Sequence, residues 1–300
     1  MPEFSFFARG LDDYANMISN LQRDGIECAT LNHLQNKFIA EADEEELARI
    51  GGAFEGAGIV LRALHAPFST PESLAHEDED MRLKNVAFLA QVIQKLPFLG
   101  VDIVHVHPTH KPTSEGSLLD SQIDVFSRSL ESLLPIAERC RVRIAIENMP
   151  YAPGSTADVC GILERFNSPW LGICFDTGHG HVFGDIKEEF SMAEPFLVDF
   201  HVNDNGGRQD AHLPPPYGTI DWLWFQEAVQ RSGFSGPITI EALPWGKAGW
   251  DNLVLETKAL FSGSLLTCPG PEGKAGYVHC RDCGHVVVVS PAGWSCCCVK

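Results

Sequence analysis

LGICFDTGHGH, residues 171–181, is a short apolar run that breaks into an acid, a glycine turn and two histidines. A strand buried on both faces reads as a continuous run of this kind, and its end is where a parallel sheet hands polar side chains to solvent. Asp176 and His179 are thereby placed at the mouth of a sheet. Four other runs end in the same way: LRALHAPF at His65, DIVHVHP at His107, RVRIAIENMP at Glu147 and PITIEAL at Glu241.

Outward from this stretch, strand and helix patterns alternate along the chain. Residues 3–8 read as a strand, and Leu11, Tyr14, Ile18 and Leu21 follow at helical spacing within 11–23. Further strands are expected at 26–31, 59–64, 101–106, 142–146, 171–175, 198–202 and 238–240. The stretches 41–56, 79–99, 117–140, 156–166, 184–196, 221–232 and 250–261 follow them as helices. Eight such units predict an α/β fold, a closed (β/α)8 TIM barrel. Alternation along its strands places Ala145 and Arg143 inward with Glu147, Gly172 and Cys174 with Asp176, Thr239 with Glu241, and Leu61 and Ala63 with His65. Val142, Ile144 and Ile146 then face the helices.

Barrel active sites lie at the C-terminal ends of the strands. The fourth to eighth strands end in His107, Glu147, Asp176, His201 and Glu241, and closure brings those ends around one axis. Carboxylates and imidazoles with few thiolates favour a divalent ion such as Mn, Mg, Co or Zn. After His201 the chain runs HVNDNGGRQDAHLPPPYGTIDW, a shaped polar loop that sets Asp210 and His212 two apart. His105 lies one layer below His107 and reads as a buried histidine supporting the ligands. His181, His110 and Asp204 are open between site and scaffold, while His33 and His76 read as surface residues.

Composition narrows the partners. The chain has 300 residues, with 22 Lys and Arg against 40 Asp and Glu, a formal net charge of −18. Nothing in that balance concentrates the protein on a polyanion, so nucleic acid and anionic membranes are disfavoured and a small-molecule substrate is expected. A basic segment leading into a long apolar run is missing from residues 1–10, and no apolar run is long enough to span a bilayer, which predicts a soluble cytoplasmic protein. Homo-oligomerisation is left open. Four of the ten cysteines, Cys28, Cys140, Cys160 and Cys174, are scattered as buried thiols usually are. The other six crowd into residues 263–300, which sets a boundary between a barrel over 1–262 and a cysteine-rich tail over 263–300.

FDTGHGH, HVNDN and DAHLPP followed by GTIDW together resemble the xylose isomerase-like barrel superfamily, which holds the sugar isomerases and epimerases and, as a cousin, endonuclease IV. The resemblance covers roughly residues 1–262. For the isomerase and epimerase branch it implies one metal held by Glu147, Asp176, His201 and Glu241, and a substrate-orienting histidine at His179. The implied chemistry is proton abstraction beside a carbonyl of a sugar, polyol or sugar phosphate, with a metal-stabilised enediolate. Glu147 and Glu241 would move the proton, and His65, His107 and Arg208 would contact substrate. The endonuclease IV pattern implies three zinc ions and a phosphodiesterase, held by His65, His107, Glu147, Asp176, His179, His201, Asp210, His212 and Glu241, all of which are present. That pattern also expects an arginine where this chain has Ala211, and the barrel alone carries a net −19. Pro216 departs from the other branch, which often has glycine there. A third reading is a barrel that binds metal and ligand without turnover.

In the tail, YVHCRDCGHVV at 277–287 is a Cys-x-x-Cys knuckle between strand-like segments, and WSCCC ends at Cys298. This resembles half of a zinc ribbon, with structural zinc on Cys280, Cys283, Cys296 and Cys298 as the expectation. Deleting residues 263–300 should therefore remove one tightly bound zinc per chain; metal analysis of full-length and truncated protein checks it, and an unchanged zinc content refutes the ribbon.

Overall fold

The computed structural model describes residues 4–109 and 116–242, three positions of the next helix (Leu253, Val254 and Thr257) and the backbone of three short strands between 276 and 294. Eight parallel strands close into a barrel in chain order: β1 Phe4–Ala8, β2 Cys28–Leu31, β3 Val60–His65, β4 Ile103–Val106, β5 Arg143–Glu147, β6 Leu171–Asp176, β7 Leu197–Val202 and β8 Ile238–Ile240. The ring shuts where Phe4, Ser5 and Phe6 of β1 pair with Ile238, Thr239 and Ile240 of β8. Helices α1 Tyr14–Arg23, α2 Asn36–Glu41, α3 Glu44–Gly56, α4 Glu79–Lys95, α5 Gly116–Cys140, α6 Thr156–Phe166, α7 Thr177–Phe183, α8 Ile186–Ala193 and α9 Trp222–Ser232 occupy the connections. Leu253 and Val254 are helical and buried. No helix among the described residues is long and apolar enough to cross a membrane.

The alternation of apolar residues sorts the side chains into two cores. Val142, Ile144 and Ile146 join the large cluster between strands and helices, whereas Ala63, Ile103, Ala145, Cys174 and Val198 form a small apolar layer inside the barrel. Small residues are required there because eight strands leave an interior just wide enough for side chains to fill. Leu61 departs from the expected inward face. The register between β2 and β3 shifts so that Ala29 pairs with Leu61 and Thr30 with Ala63, and the bulge at Arg62 turns Leu61 into the outer cluster. Ser5, Thr30 and Thr239 satisfy one another inside the barrel through hydroxyl contacts of 2.8 and 3.1 Å.

A second departure lies in FDTGHGH. The turn expected after β6 is a helix, α7, which starts at once because the Asp176 side chain accepts the His179 backbone N–H at 2.6 Å. An aspartate at the N-cap satisfies a donor that the helix itself cannot. The expected helix over 184–196 is then α8 followed by a 3-10 turn, Glu194–Phe196. Beyond the barrel, β9 Gly276–His279, β10 Val286–Ser290 and β11 Gly293–Trp294 pair as an antiparallel sheet. Cys280, Cys283, Cys296 and Cys298 lie outside the described residues, as does His110.

Adjacent glycines in α3 give a local test of this packing. A Cβ at Gly51 would sit 2.6 Å from the Phe98 carbonyl oxygen, while one at the exposed Gly52 would meet nothing within 4 Å. Gly52→Ala should stabilise the protein by about 0.5–1 kcal/mol, and Gly51→Ala should destabilise it by about 1–3 kcal/mol as α3 is pushed off; urea denaturation of both variants measures the opposite signs.

Candidate metal centre

Strands β5 to β8 deliver Glu147, Asp176, His201 and Glu241 to one rim of the barrel. The ladder sets Asp176 beside His201, and Glu241 follows directly after β8. Ligand atoms from these four residues all lie within 4.8 Å of one another. His201 Nδ1 is 3.0 Å from Glu147 Oε2 and 2.9 Å from Glu241 Oε2. Glu147, Asp176 and His201 are buried, whereas the Glu241 side chain keeps 23% of its surface toward the mouth. His201 Nδ1 and Glu241 Oε2 are enclosed without a well-formed hydrogen bond among the described residues. Buried polar atoms left in that state are costly, and several converging on one point fit a cation.

Two flanking clusters complete the rim. His65 and His107 turn their Nε2 atoms to Glu147 Oε2 at 3.4 and 3.2 Å. On the other side, His179 and His212 turn theirs to Asp210 Oδ2 at 3.3 and 3.0 Å. Backbone carbonyls fix three of these rings: the Nδ1–H of His65 donates to Ala66 O at 2.7 Å, that of His179 to Asn148 O at 2.8 Å and that of His212 to Glu241 O at 2.8 Å. Each Nε2 then faces the carboxylates, the orientation that metal-ligating histidines adopt. His212 reaches its position with φ of 44°, in the sparsely populated left-handed region.

Charge compensation dominates the electrostatics. Burial alone would push every carboxyl up, and it raises Asp176 to about 7. At Glu147 burial is outweighed by His201 and His107, which hold the group well below its usual range. At Glu241 burial is outweighed mainly by His201, and the group falls to about 2. Burial lowers His107, but three other histidines move the opposite way against their own burial. His201 is raised well above its usual value with Cys174, Glu241 and Glu147 around it, His179 by Asp176, Asp210 and Glu147, and His212 to about 10, first by its hydrogen bond to Asp210. Protons on imidazoles thus supply positive charge that a divalent ion would supply in their place. Oxygen and imidazole donors, with no thiol in the four-ligand set, fit a hard or borderline divalent cation.

The scaffold around the ligands includes residues that periodicity could not single out. Asn148 clamps the end of β6, accepting the Asp176 N–H at 2.7 Å and donating to the Asp176 carbonyl at 3.2 Å. Asn203 Nδ2 donates to Asp176 Oδ2 at 2.8 Å, and a Cβ at Gly178 would collide with the same asparagine side chain. Their only signal is adjacency to the ligands in IENMP and HVNDN. Asp204 is scaffold: it accepts the N–H groups of Asn205, Gly218 and Ile220 and the Trp222 indole at 2.7–3.2 Å, which ties the long loop back through GTIDW. His181 serves the same loop through Thr219 at 2.8 Å.

His105 is buried below His201, as its position one layer down implies. Burial and the nearby His201 lower it to about 4, so it is neutral. His33, expected at the surface, stands half-buried on the rim instead, edge-on to Phe68 at 4.8 Å. With Phe7, His65, Phe68, His212 and Glu241 it lines a cavity of about 820 Å³. His76 is half-buried away from the cluster and accepts the Asp78 N–H at 3.0 Å. Arg208 is exposed, with no hydrogen bond or ion pair to the cluster among the described residues.

A family model described as "Xylose isomerase-like TIM barrel" matches residues 18–254. An uncharacterized protein of Methanocaldococcus jannaschii is 29% identical over 187 residues, covering 59% of this chain and 63% of its own length, so the chain spans less than two thirds of that relative. A probable endonuclease 4 of Mycoplasmopsis pulmonis is 24% identical over 206 residues, 62% of this chain and 71% of the relative. Among solved structures, a D-tagatose 3-epimerase-like protein superposes with a TM-score of 0.73 at 21% identity, covering 87% of this chain and 97% of that one, a likeness of fold. The family match spans the strands and helices that build the rim, and the chain belongs to the xylose isomerase-like TIM barrel family.

Proposed function

We propose that the chain is a divalent-metal-dependent isomerase or epimerase acting on a sugar or sugar phosphate. The observation that carries this reading is the convergence of Glu147 and Glu241, from strands separated by β6 and β7, on one buried atom, His201 Nδ1, at 3.0 and 2.9 Å. The sugar-epimerase fold neighbour supports the substrate class.

Glu147, Asp176, His201 and Glu241 would hold the ion. When bound, a divalent ion supplies Lewis acidity to a carbonyl oxygen and its neighbouring hydroxyl, which lowers the cost of developing negative charge there. Glu241, open to the mouth, accepts the proton from the carbon beside the carbonyl, and Glu147 returns one from the other end of the ligand row. Glu147 would therefore enter the step carrying the proton it returns and Glu241 leave it carrying the one it took, and exchange of both protons with solvent resets the pair. His179, with Nδ1–H committed to Asn148 O, offers its Nε2 edge to a substrate oxygen. His65 and His107, both turned to Glu147, would orient substrate hydroxyls beside it. Arg208 would meet a distal hydroxyl or phosphate as the loop receives substrate.

A second reading has its own observation. His65–His107–Glu147 and His179–Asp210–His212 each gather three ligand atoms within 4.8 Å beside the central four. The rim thus has donors for three ions, the arrangement of a phosphodiesterase that activates water between metals.

Metal stoichiometry distinguishes the two: the isomerase reading expects about one tightly bound ion per barrel and the phosphodiesterase about three, counted by metal analysis of protein truncated after residue 262. Glu241→Gln and Glu147→Gln should each lower turnover about 10²–10⁴-fold in a ketose and aldose panel. Wild-type turnover in both variants on a confirmed substrate would overturn the assignment. Chelation should abolish turnover, and added Mn or Co should restore it.

A further inference from the structure

Below the rim runs a closed hydrogen-bonded row that ends in a carboxylate no ligand set uses. The Phe200 backbone N–H donates to Asp199 Oδ1 at 2.8 Å, leaving Oδ2 to face His105 Nε2 at 3.0 Å. His105 Nδ1 in turn faces His201 Nε2 at 3.0 Å, with the rings edge to face and 4.4 Å between centroids. Asp199, His105 and His201 are all 0% exposed. Enclosed in this way, the row takes its polarity from the group at its end.

We propose that Asp199 and His105 are positioning residues that fix a proton on His201 Nε2, so that Nδ1 is the atom His201 offers a cation beside Glu147 and Glu241. The inference rests on the metal-centre reading above. With Oδ1 accepting from Phe200 and Oδ2 turned to the ring, Asp199 stands as the acceptor end of the row, so His105 carries its proton on Nε2 and presents Nδ1 as an acceptor. His201 then donates from Nε2, which leaves Nδ1 as its cation-facing atom. The opposite polarity, with a donor at position 199, drives a proton onto His201 Nδ1, where it blocks the ion. Cys174 also borders this row beside His201.

Asp199→Asn is close to isosteric and inverts the row. The Phe200 N–H claims the amide oxygen, and the NH₂ group is left pointing at His105 Nε2. The full chain, wild type and variant, is stripped of metal and titrated with Co²⁺ against a chromophoric chelator. Long-range ¹H–¹⁵N spectra of the metal-free proteins read the His105 tautomer. The expected result is at least tenfold weaker Co²⁺ binding in Asp199→Asn, a His105 tautomer that switches from Nε2–H to Nδ1–H, and a circular dichroism spectrum unchanged from wild type. His105→Phe, which removes the acceptor without inverting it, should bind Co²⁺ with intermediate affinity and serves if the asparagine variant does not fold. An Nδ1–H tautomer at His105 in the wild type, or wild-type Co²⁺ affinity in both variants, overturns the proposal. If the wild-type protein binds no Co²⁺, the metal-centre reading fails instead, and the tautomer measurement alone judges the row.

Discussion

The constraint on which the rim depends is the burial of like charges. Glu147 and Asp176 are withdrawn from water, and Glu241 is mostly so, with ligand atoms of all three within a few ångströms of one another. Carboxylates so placed cannot all ionise unless positive charge lies between them. The barrel answers with the imidazoles of His201 on β7, His179 on α7 and His212 on the long loop. Each is fixed by a hydrogen bond on the nitrogen turned away from the carboxylates where a carbonyl or His105 is in reach. A scaffold that only needed stability would have had no reason to assemble this arrangement, since apolar residues of the same volume pack such an interior at lower cost.

Much of this was legible in the sequence because it depends on period. Runs such as RVRIAIE place every second residue on one face, and Val142, Ile144 and Ile146 occupy the outer core as that count requires. Closure then gathers the strand ends without further information, which is why Glu147, Asp176, His201 and Glu241 meet. Period fails where one residue is inserted. The bulge opposite Ala29 and Thr30 turns Leu61 outward, and nothing in LRALH marks it. It also fails where local hydrogen bonding beats pattern, as at Asp176, whose side chain caps a helix and converts an expected turn into α7.

Residues recruited by tertiary contact were the least legible. His33 is short of apolar neighbours in sequence, yet Phe68 from another connection packs on it and closes one side of the cavity. Asn148 and Asn203 bind the Asp176 backbone and carboxylate, respectively, through contacts between elements 27–28 residues apart in sequence. Asp204 had the composition of a ligand and the environment of a tether, a distinction set by Gly218 and Trp222 downstream.

Asp176 is held from every direction at once: one oxygen closes the first turn of α7, the other takes an amide proton from Asn203, and its backbone is clipped by Asn148. Chemistry and architecture are therefore welded at a single carboxylate. Losing the acid would also fray the helix that carries His179, so the fold by itself ties this position to a side chain that can cap.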